Sequence, residues 1–319
     1  AYPFGKTISH HDLILMQNDE NLKKALQPDL LITIGKSVLS KALKQFLRKY
    51  PPRYHWHFQE FGQAPDTFRS LTHVLPISPE KGLEYYLSYT RKKLQKDAYF
   101  KLWFSEELKA EKFLASFFKK QEVFSEFGAM QALMQNLPEN SLLHLANSMP
   151  VRYANYLSLP PEKNIEVFAN RGTSGIDGSN STAVGSAIAT DKVVTLITGD
   201  MAFLYDRNAF WHNHLPENLR IVVLNNFGGG IFRLLPESGK LPELENFFET
   251  QQKSTAKQLT EEFGLEYFLA KNQEELQEIL QTFFEPSQNI KVLEIQTQNI
   301  ENQVFFEDFK KKWLKSLEN

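Results

Sequence analysis

Short runs of apolar and β-branched residues recur along the 319-residue chain, each followed by a polar or helical stretch. They are SLLHLANS (141–148), NIEVFANRG (164–172), KVVTLITGD (192–200), LRIVVLNN (219–226) and IKVLEIQT (290–297). Strands this apolar need cover on both faces. Strand followed by helix, many times over, supplies that cover as a parallel sheet with helices on both sides, an α/β fold. Ligands of such sheets bind beyond the carboxyl ends of the strands, near the switch in strand order. The informative positions are therefore those just after the runs: Ser148, Asn170-Arg171-Gly172, Gly199-Asp200 and Asn225-Asn226.

Upstream the same alternation is present on a smaller scale. DLLITIG (29–35) reads as a buried strand, and SVLSKALKQFLRKY (37–50) as a helix stopped by Pro51-Pro52. YHWHFQE (54–60) alternates like a strand, and SPEKGLEYYLSYTRKKL (78–94) runs helically from Ser78-Pro79. Residues 1–95 are expected to form part of a smaller α/β domain and 96–319 the larger one, with a helical pattern over 96–140. Gly35-Lys36-Ser37 resembles the end of a phosphate-binding loop, but that motif needs a glycine where Leu30 stands. A plain strand-to-helix turn is expected there.

Composition narrows the classes. Hydrophobic residues make up 42% and charged residues 23%, enough to bury a large core, and 26 phenylalanines make that core aromatic. A net charge of −2 gives no reason to expect a nucleic acid. No apolar run approaches a membrane span, and no secretory signal opens the chain. The absence of cysteine excludes disulfides and thiolate chemistry. A cytoplasmic location is expected. The chain starts without Met in loop-like sequence (AYPFGK), as a piece of a longer protein would. His10-His11 are adjacent, and His212 and His214 stand two apart on an expected helix. Neither spacing puts two imidazoles on one helical face, so no metal is expected on them. The terminal run KKKWLKSLEN reads as a solvated helix face.

Asp200 and Asn226 are the informative pair. A carboxylate and an amide oxygen at neighbouring strand ends are hard ligands that suit Mg²⁺. Two side chains cannot fill a six-oxygen shell, and phosphates usually complete it. Gly199 lets backbone come close to such a group, and Gly228, Gly229 and Gly230 leave the next loop free to offer a carbonyl or open N–H groups. Helices that start after the strands point their N-termini at the same phosphates. A Mg²⁺-diphosphate site shared by two strand ends follows.

Gly199-Asp200, followed 26 residues later by Asn226 at the end of another strand, resembles the motif of the thiamin-diphosphate-binding fold. NRGTSGIDGSNSTAVGSAIA (170–189), GDMAFLYDRNA and LNNFGGGIFRLLP resemble the 2-succinyl-5-enolpyruvyl-6-hydroxy-3-cyclohexene-1-carboxylate synthase family of menaquinone biosynthesis. NSMPVR (147–152) matches its Asn-Ser-x-x-x-Arg element, and Met201 stands where many other thiamin-diphosphate decarboxylases have glycine. The likeness covers roughly 130–240 at motif level and is weaker over 1–95, which looks like the end of the family's middle domain.

The resemblance implies a set of roles. The metal, Mg²⁺ or Mn²⁺, would take Asp200, Asn226 and the carbonyl of Gly228. The cofactor would meet Ser174, Gly175, Ile176, Gly199, Asp200, Met201, Ala202, Asn226, Gly228, Gly229 and Ile231, with Ile176 as the apolar support for its bent conformation. The substrates would meet Ser148, Arg152, Arg171, Ile231, Phe232 and Leu235. Those substrates are 2-oxoglutarate, which is decarboxylated with the cofactor as electron sink, and isochorismate, to which the succinyl carbanion equivalent adds. Arginine suits both, because each carries two carboxylates. LENFFETQQ (244–252) is expected in a mobile loop near the site. The family's pyrimidine-activating glutamate lies in an N-terminal domain with no counterpart here, normally on a partner subunit. A homodimer or homotetramer, weak cofactor binding and no turnover by this chain alone are the expectations. Two other readings stay open: another thiamin-diphosphate 2-oxoacid decarboxylase or acetolactate synthase, and a non-catalytic cofactor-binding module.

Overall fold

The computed structural model of the protein describes residues 7–90, 98–235 and 237–318. The start of the chain and the last residues of the helix expected through Leu94 lie outside them. The chain divides into two compact units, the first ending at Leu114 and the second beginning at Ala115.

The first unit holds α1 (His11–Met16), α2 (Glu20–Ala25), β1 (Leu30–Ile34), α3 (Lys41–Lys49), β2 (Tyr54–Phe58), β3 (His73–Leu75), α4 (Pro79–Thr90) and most of α5 (Ala98–Lys119). Its strands form a parallel sheet in the order β1-β2-β3. β3 is only three residues long, too short to show a period in sequence. α3 starts at Lys41, not at residue 37, because Ser40 caps it: its Oγ accepts from Leu43 N at 2.9 Å. Ile14, Leu15, Leu26, Phe46, Leu47 and Phe68 make the apolar core of this unit.

The second unit continues with α6 (Glu126–Asn136), β4 (Leu142–Leu145), α7 (Met149–Leu157), β5 (Glu166–Ala169), α8 (Ser179–Ile188), β6 (Val194–Gly199), α9 (Asp200–Tyr205) and β7 (Leu219–Asn225). It closes with α10 (Ala256–Glu262), β8 (Glu266–Ala270), α11 (Gln273–Leu280), β9 (Lys291–Gln296) and α12 (Asn299–Ser316). Its six strands are all parallel, in the order β5-β4-β6-β7-β9-β8. All five runs singled out in this part of the sequence contain strands, and the expected parallel α/β sheet is present. β8, at the far edge and only partly buried, carried no comparable apolar signal. All seven residues of β7 are buried, which is what a central parallel strand requires.

His212 and His214 are not helical. They follow a short 3₁₀ turn at Arg207–Phe210, His214 N donates to His212 Nδ1 at 3.1 Å, and Pro216 disfavours helix just before it. Among the described residues no helix is long and apolar enough to cross a membrane.

The strand order sets the position of the site. From β4 the chain moves to β5 on one side, then returns to β6 on the other. The switch in direction therefore falls between β4 and β6, and the crevice opens at their carboxyl ends.

Candidate active site

A cleft of about 420 Å³ opens at those ends. It is lined from β4 and α7 by Ser148 and Arg152, and from the loop after β5 by Arg171, Ser174 and Ile176. The β6–α9 junction adds Gly199, Asp200, Met201 and Ala202, and the segment after β7 adds Asn226, Gly228, Gly229, Ile231, Phe232 and Leu235. Of the residues given a metal, cofactor or substrate role in sequence, Gly175 alone does not line the cleft; its carbonyl accepts from Asn147 Nδ2. Asn170, Gly172 and Asn225, also at the strand ends singled out, do not line it either.

Backbone strain concentrates here. Ser148, Ser174, Phe227 and Thr250 have φ of +76°, +64°, +62° and +51°, a region that side chains rarely enter. Such residues persist only where the surroundings over-determine them, commonly at ligand sites. Close packing, against backbone in one case and a side chain in the other, explains two of the glycines. A Cβ on Gly228 would sit 2.6 Å from the Glu249 carbonyl oxygen, and one on Gly230 2.6 Å from Asn299 Oδ1. Gly199 differs: a Cβ there would meet nothing within 4 Å, so no protein atom demands glycine.

Asp200 is buried and its two oxygens are held. Oδ1 accepts from Met201 N and Oδ2 from Gln252 Nε2, each at 2.8 Å. Burial pushes its carboxyl up to about 6, against those hydrogen bonds. Asn226 directly follows the neighbouring strand β7, with its Nδ2 donating to Glu126 Oε1 at 2.7 Å. Its Oδ1 is buried and bonds no described residue. A buried acceptor left open costs free energy unless something fills it. With Asp200 beside it, an oxygen-seeking dication fits this pair. The other end of Glu126 accepts from Tyr153 Oη at 3.3 Å. Burial, aided by the charge of Asp200, pushes Glu126 up to about 7, while Asn226 and Tyr153 pull the other way.

The arginines are unlike surface arginines. Arg152 Nη1 donates to the Ser148 carbonyl at 2.5 Å, and Arg171 Nη1 to Asn147 Oδ1 at 2.7 Å. Among the described residues neither is paired with a carboxylate, and Arg171 Nε is buried without a partner. Burial and then the charge of Arg171 lower the pKa of Arg152. Two half-buried guanidinium groups that repel each other are a standing attraction for an anion.

The segment after β7 is pinned to itself. Gly229 N donates to the Glu249 carbonyl at 2.6 Å, and Gln252 N to the Phe227 carbonyl at 3.0 Å. Arg233 pairs with the fully buried Glu249 at 2.6 Å. LENFFETQQ therefore begins as a helical turn, Leu244–Phe248, and ends with Gln252 on Asp200.

Four residues here escaped the sequence reading. Glu126 is an acidic first-turn residue behind the cap Ser125, and Tyr153 a buried aromatic of α7; neither carries a sequence signal that marks it out. Asn147 was visible only as a letter of a motif. Gln252 sits in polar sequence without a pattern.

Comparison with known proteins agrees with this fold. The family described as the middle domain of thiamine pyrophosphate enzymes matches residues 3–145. The one described as the thiamine pyrophosphate enzyme C-terminal TPP binding domain matches 149–295. The chain is 45% identical over 305 residues to a 2-succinyl-5-enolpyruvyl-6-hydroxy-3-cyclohexene-1-carboxylate synthase of Cytophaga hutchinsonii, covering 95% of this chain and 54% of that protein. It is 37% identical over 306 residues to the synthase of Flavobacterium johnsoniae (95% and 53%) and 38% over 300 residues to that of Christiangramia forsetii (92% and 50%). The chain thus spans about half the length of the curated relatives it matches. With both domains matched in order and this identity along nearly its whole length, the chain belongs to the thiamine pyrophosphate enzymes and, among them, to the family of these synthases.

Proposed function

We propose that the cleft holds thiamin diphosphate with Mg²⁺ or Mn²⁺. We further propose that the chain contributes these residues to decarboxylation of 2-oxoglutarate and transfer of the succinyl unit to isochorismate, in menaquinone biosynthesis in the cytoplasm. The observation that carries the reading is one cleft with two kinds of open valence: the Asn226 oxygen beside Asp200, and two arginines without an acid.

Asp200, Asn226 and the Gly228 carbonyl would hold the dication, and the dication the diphosphate. Ser174, Gly175, Gly199, Met201, Ala202 and Gly229 would border the cofactor, and Ile176 would support it from below. When bound, the cofactor supplies a carbon nucleophile and an electron sink. The chain's own contribution is binding and exclusion. Arg152 and Arg171 orient carboxylates by forked hydrogen bonds, and Ser148 adds a hydroxyl that caps no helix. Ile231, Phe232 and Leu235 line the cleft with apolar surface, which keeps water from the reacting carbon. The active site is proposed to lie between subunits of a homo-oligomer.

A chimera tests this. The chain replaces its matching part in the Cytophaga hutchinsonii relative, and turnover is followed with 2-oxoglutarate plus isochorismate or with pyruvate. Product from the first pair alone supports the reading. Turnover of pyruvate at a comparable rate contradicts it.

A further inference from the structure

Asn226 presents either its oxygen or its NH₂ group to the cleft, and the two ends have nearly the same shape. Only the oxygen can ligate a cation. Some neighbouring group must therefore settle which way the amide points. Glu126 is placed to do so. Its Oε1 lies 2.7 Å from Asn226 Nδ2, across 100 residues of sequence. A carboxylate offers acceptors only, so it takes the NH₂ group and turns Oδ1 away from itself. Oδ1 is the atom left without a partner, and it is buried.

Glu126 is itself held from three sides. Ser125 caps α6, its Oγ accepting from Gly128 N at 3.2 Å. The backbone N of Glu126 donates to Asn302 Oδ1 of α12 at 2.8 Å. Tyr153, buried among Phe127 and Phe306, engages Oε2. The residue is 2% exposed and forms no salt bridge with a described residue. A buried acid without a cation is costly, and an apolar side chain would stabilise the fold better there. Fold stability alone gives no reason for a carboxylate; orienting a ligand does. Partners behind metal ligands commonly fix them in this way.

We infer that Glu126 is the positioning residue that turns the Asn226 amide oxygen toward the cation beside Asp200. The inference rests on the metal site proposed above and adds to it a residue outside the ligand set.

Two measurements test it, and they separate the two claims. The first needs no metal. In protein labelled with ¹⁵N on asparagine, the Asn226 side-chain signal is assigned by its loss in N226A. Its hydrogen-bonded proton should lie downfield in the wild-type chain and move upfield in E126L. An unmoved signal in folded E126L overturns the inference, whatever the site binds. The second is Mn²⁺ affinity with thiamin diphosphate present, read by electron paramagnetic resonance. E126L should bind about 10–100-fold more weakly, as removal of such partners commonly does. E126Q, which keeps an acceptor oxygen and a donor for Tyr153, should recover most of the loss. Y153F, which keeps the Asn226 contact, should bind within about threefold of wild type. In an N226A background the E126L effect should vanish, because the residue acts through Asn226. A loss in E126L that persists in N226A, or that E126Q does not relieve, overturns the inference. Equal Mn²⁺ binding by wild type and D200A would refute the metal site itself, and this role with it.

Discussion

The two parallel sheets end differently, although both are built from the same strand–helix unit. In the small sheet the polar groups satisfy one another. Thr33 Oγ1 meets His55 Nε2 and His57 Nδ1, each at 2.8 Å. His55 Nδ1 reaches Ser70 and His57 Nε2 reaches Gln59, each at 3.1 Å, so the relay closes on itself. In the large sheet the polar groups after β4, β5 and β7 keep unused valence: the Asn226 oxygen, the Arg171 Nε and two unpaired guanidinium charges. The same strand–helix unit thus gives a closed network and an open one. The fold supplies the crevice, and the unspent polar valence in it supplies the binding site.

That contrast can be broken by mutation, and the largest effect should come from the arginines. R171A and R152A should each weaken 2-oxoglutarate binding about 10–100-fold, the worth of charged hydrogen bonds of about 1.5–3 kcal/mol, seen by calorimetric titration. T33V, at the centre of the closed network, should leave that binding unchanged. Next comes G228A. Its Cβ would press on the Glu249 carbonyl, so the chain should lose about 1–3 kcal/mol in urea unfolding, and Mn²⁺ binding at the proposed cation site should weaken with it. T33V should cost about 1–2 kcal/mol and nothing else, since it leaves buried imidazoles with a lost partner.

The smallest effect concerns pH. Burial lowers the pKa of His144, whose ring stacks on Phe168 and bonds no described residue. The folded chain then binds fewer protons than the unfolded one below about 6.5. The stability this histidine permits is full above that pH and is lost as pH falls toward the lowered folded value. Asp200 and Glu126, raised in the fold, act in the opposite direction, so the test is a difference. The Tm of H144F relative to wild type should rise between pH 7.5 and 5.5. A gap that stays constant would show that His144 does not titrate with folding.

The same contrast explains what was legible in sequence. β6, β7 and β9 of the large sheet are buried apolar runs of six or seven residues, and β6 and β7 run into polar residues, so the sheet and the strand-end residues could be read from them. β3 and β8 are short or half-exposed and gave no period. The arginines and the Asp200–Asn226 pair stand in local motifs. Glu126 and Gln252 do not: each meets its hydrogen-bond partner across a long sequence separation, and nothing near them in sequence encodes that partner. His212 and His214 read as helical because their neighbours are; a local His–His bond and Pro216 decide otherwise.

The most direct test of the open-valence account is calorimetric titration of the chain with thiamin diphosphate, with Mg²⁺ or with EDTA, for wild type and D200A. The account predicts saturable binding by the wild type that requires Mg²⁺ and is lost in D200A. Binding that is equal in EDTA, or equal in D200A, would contradict it.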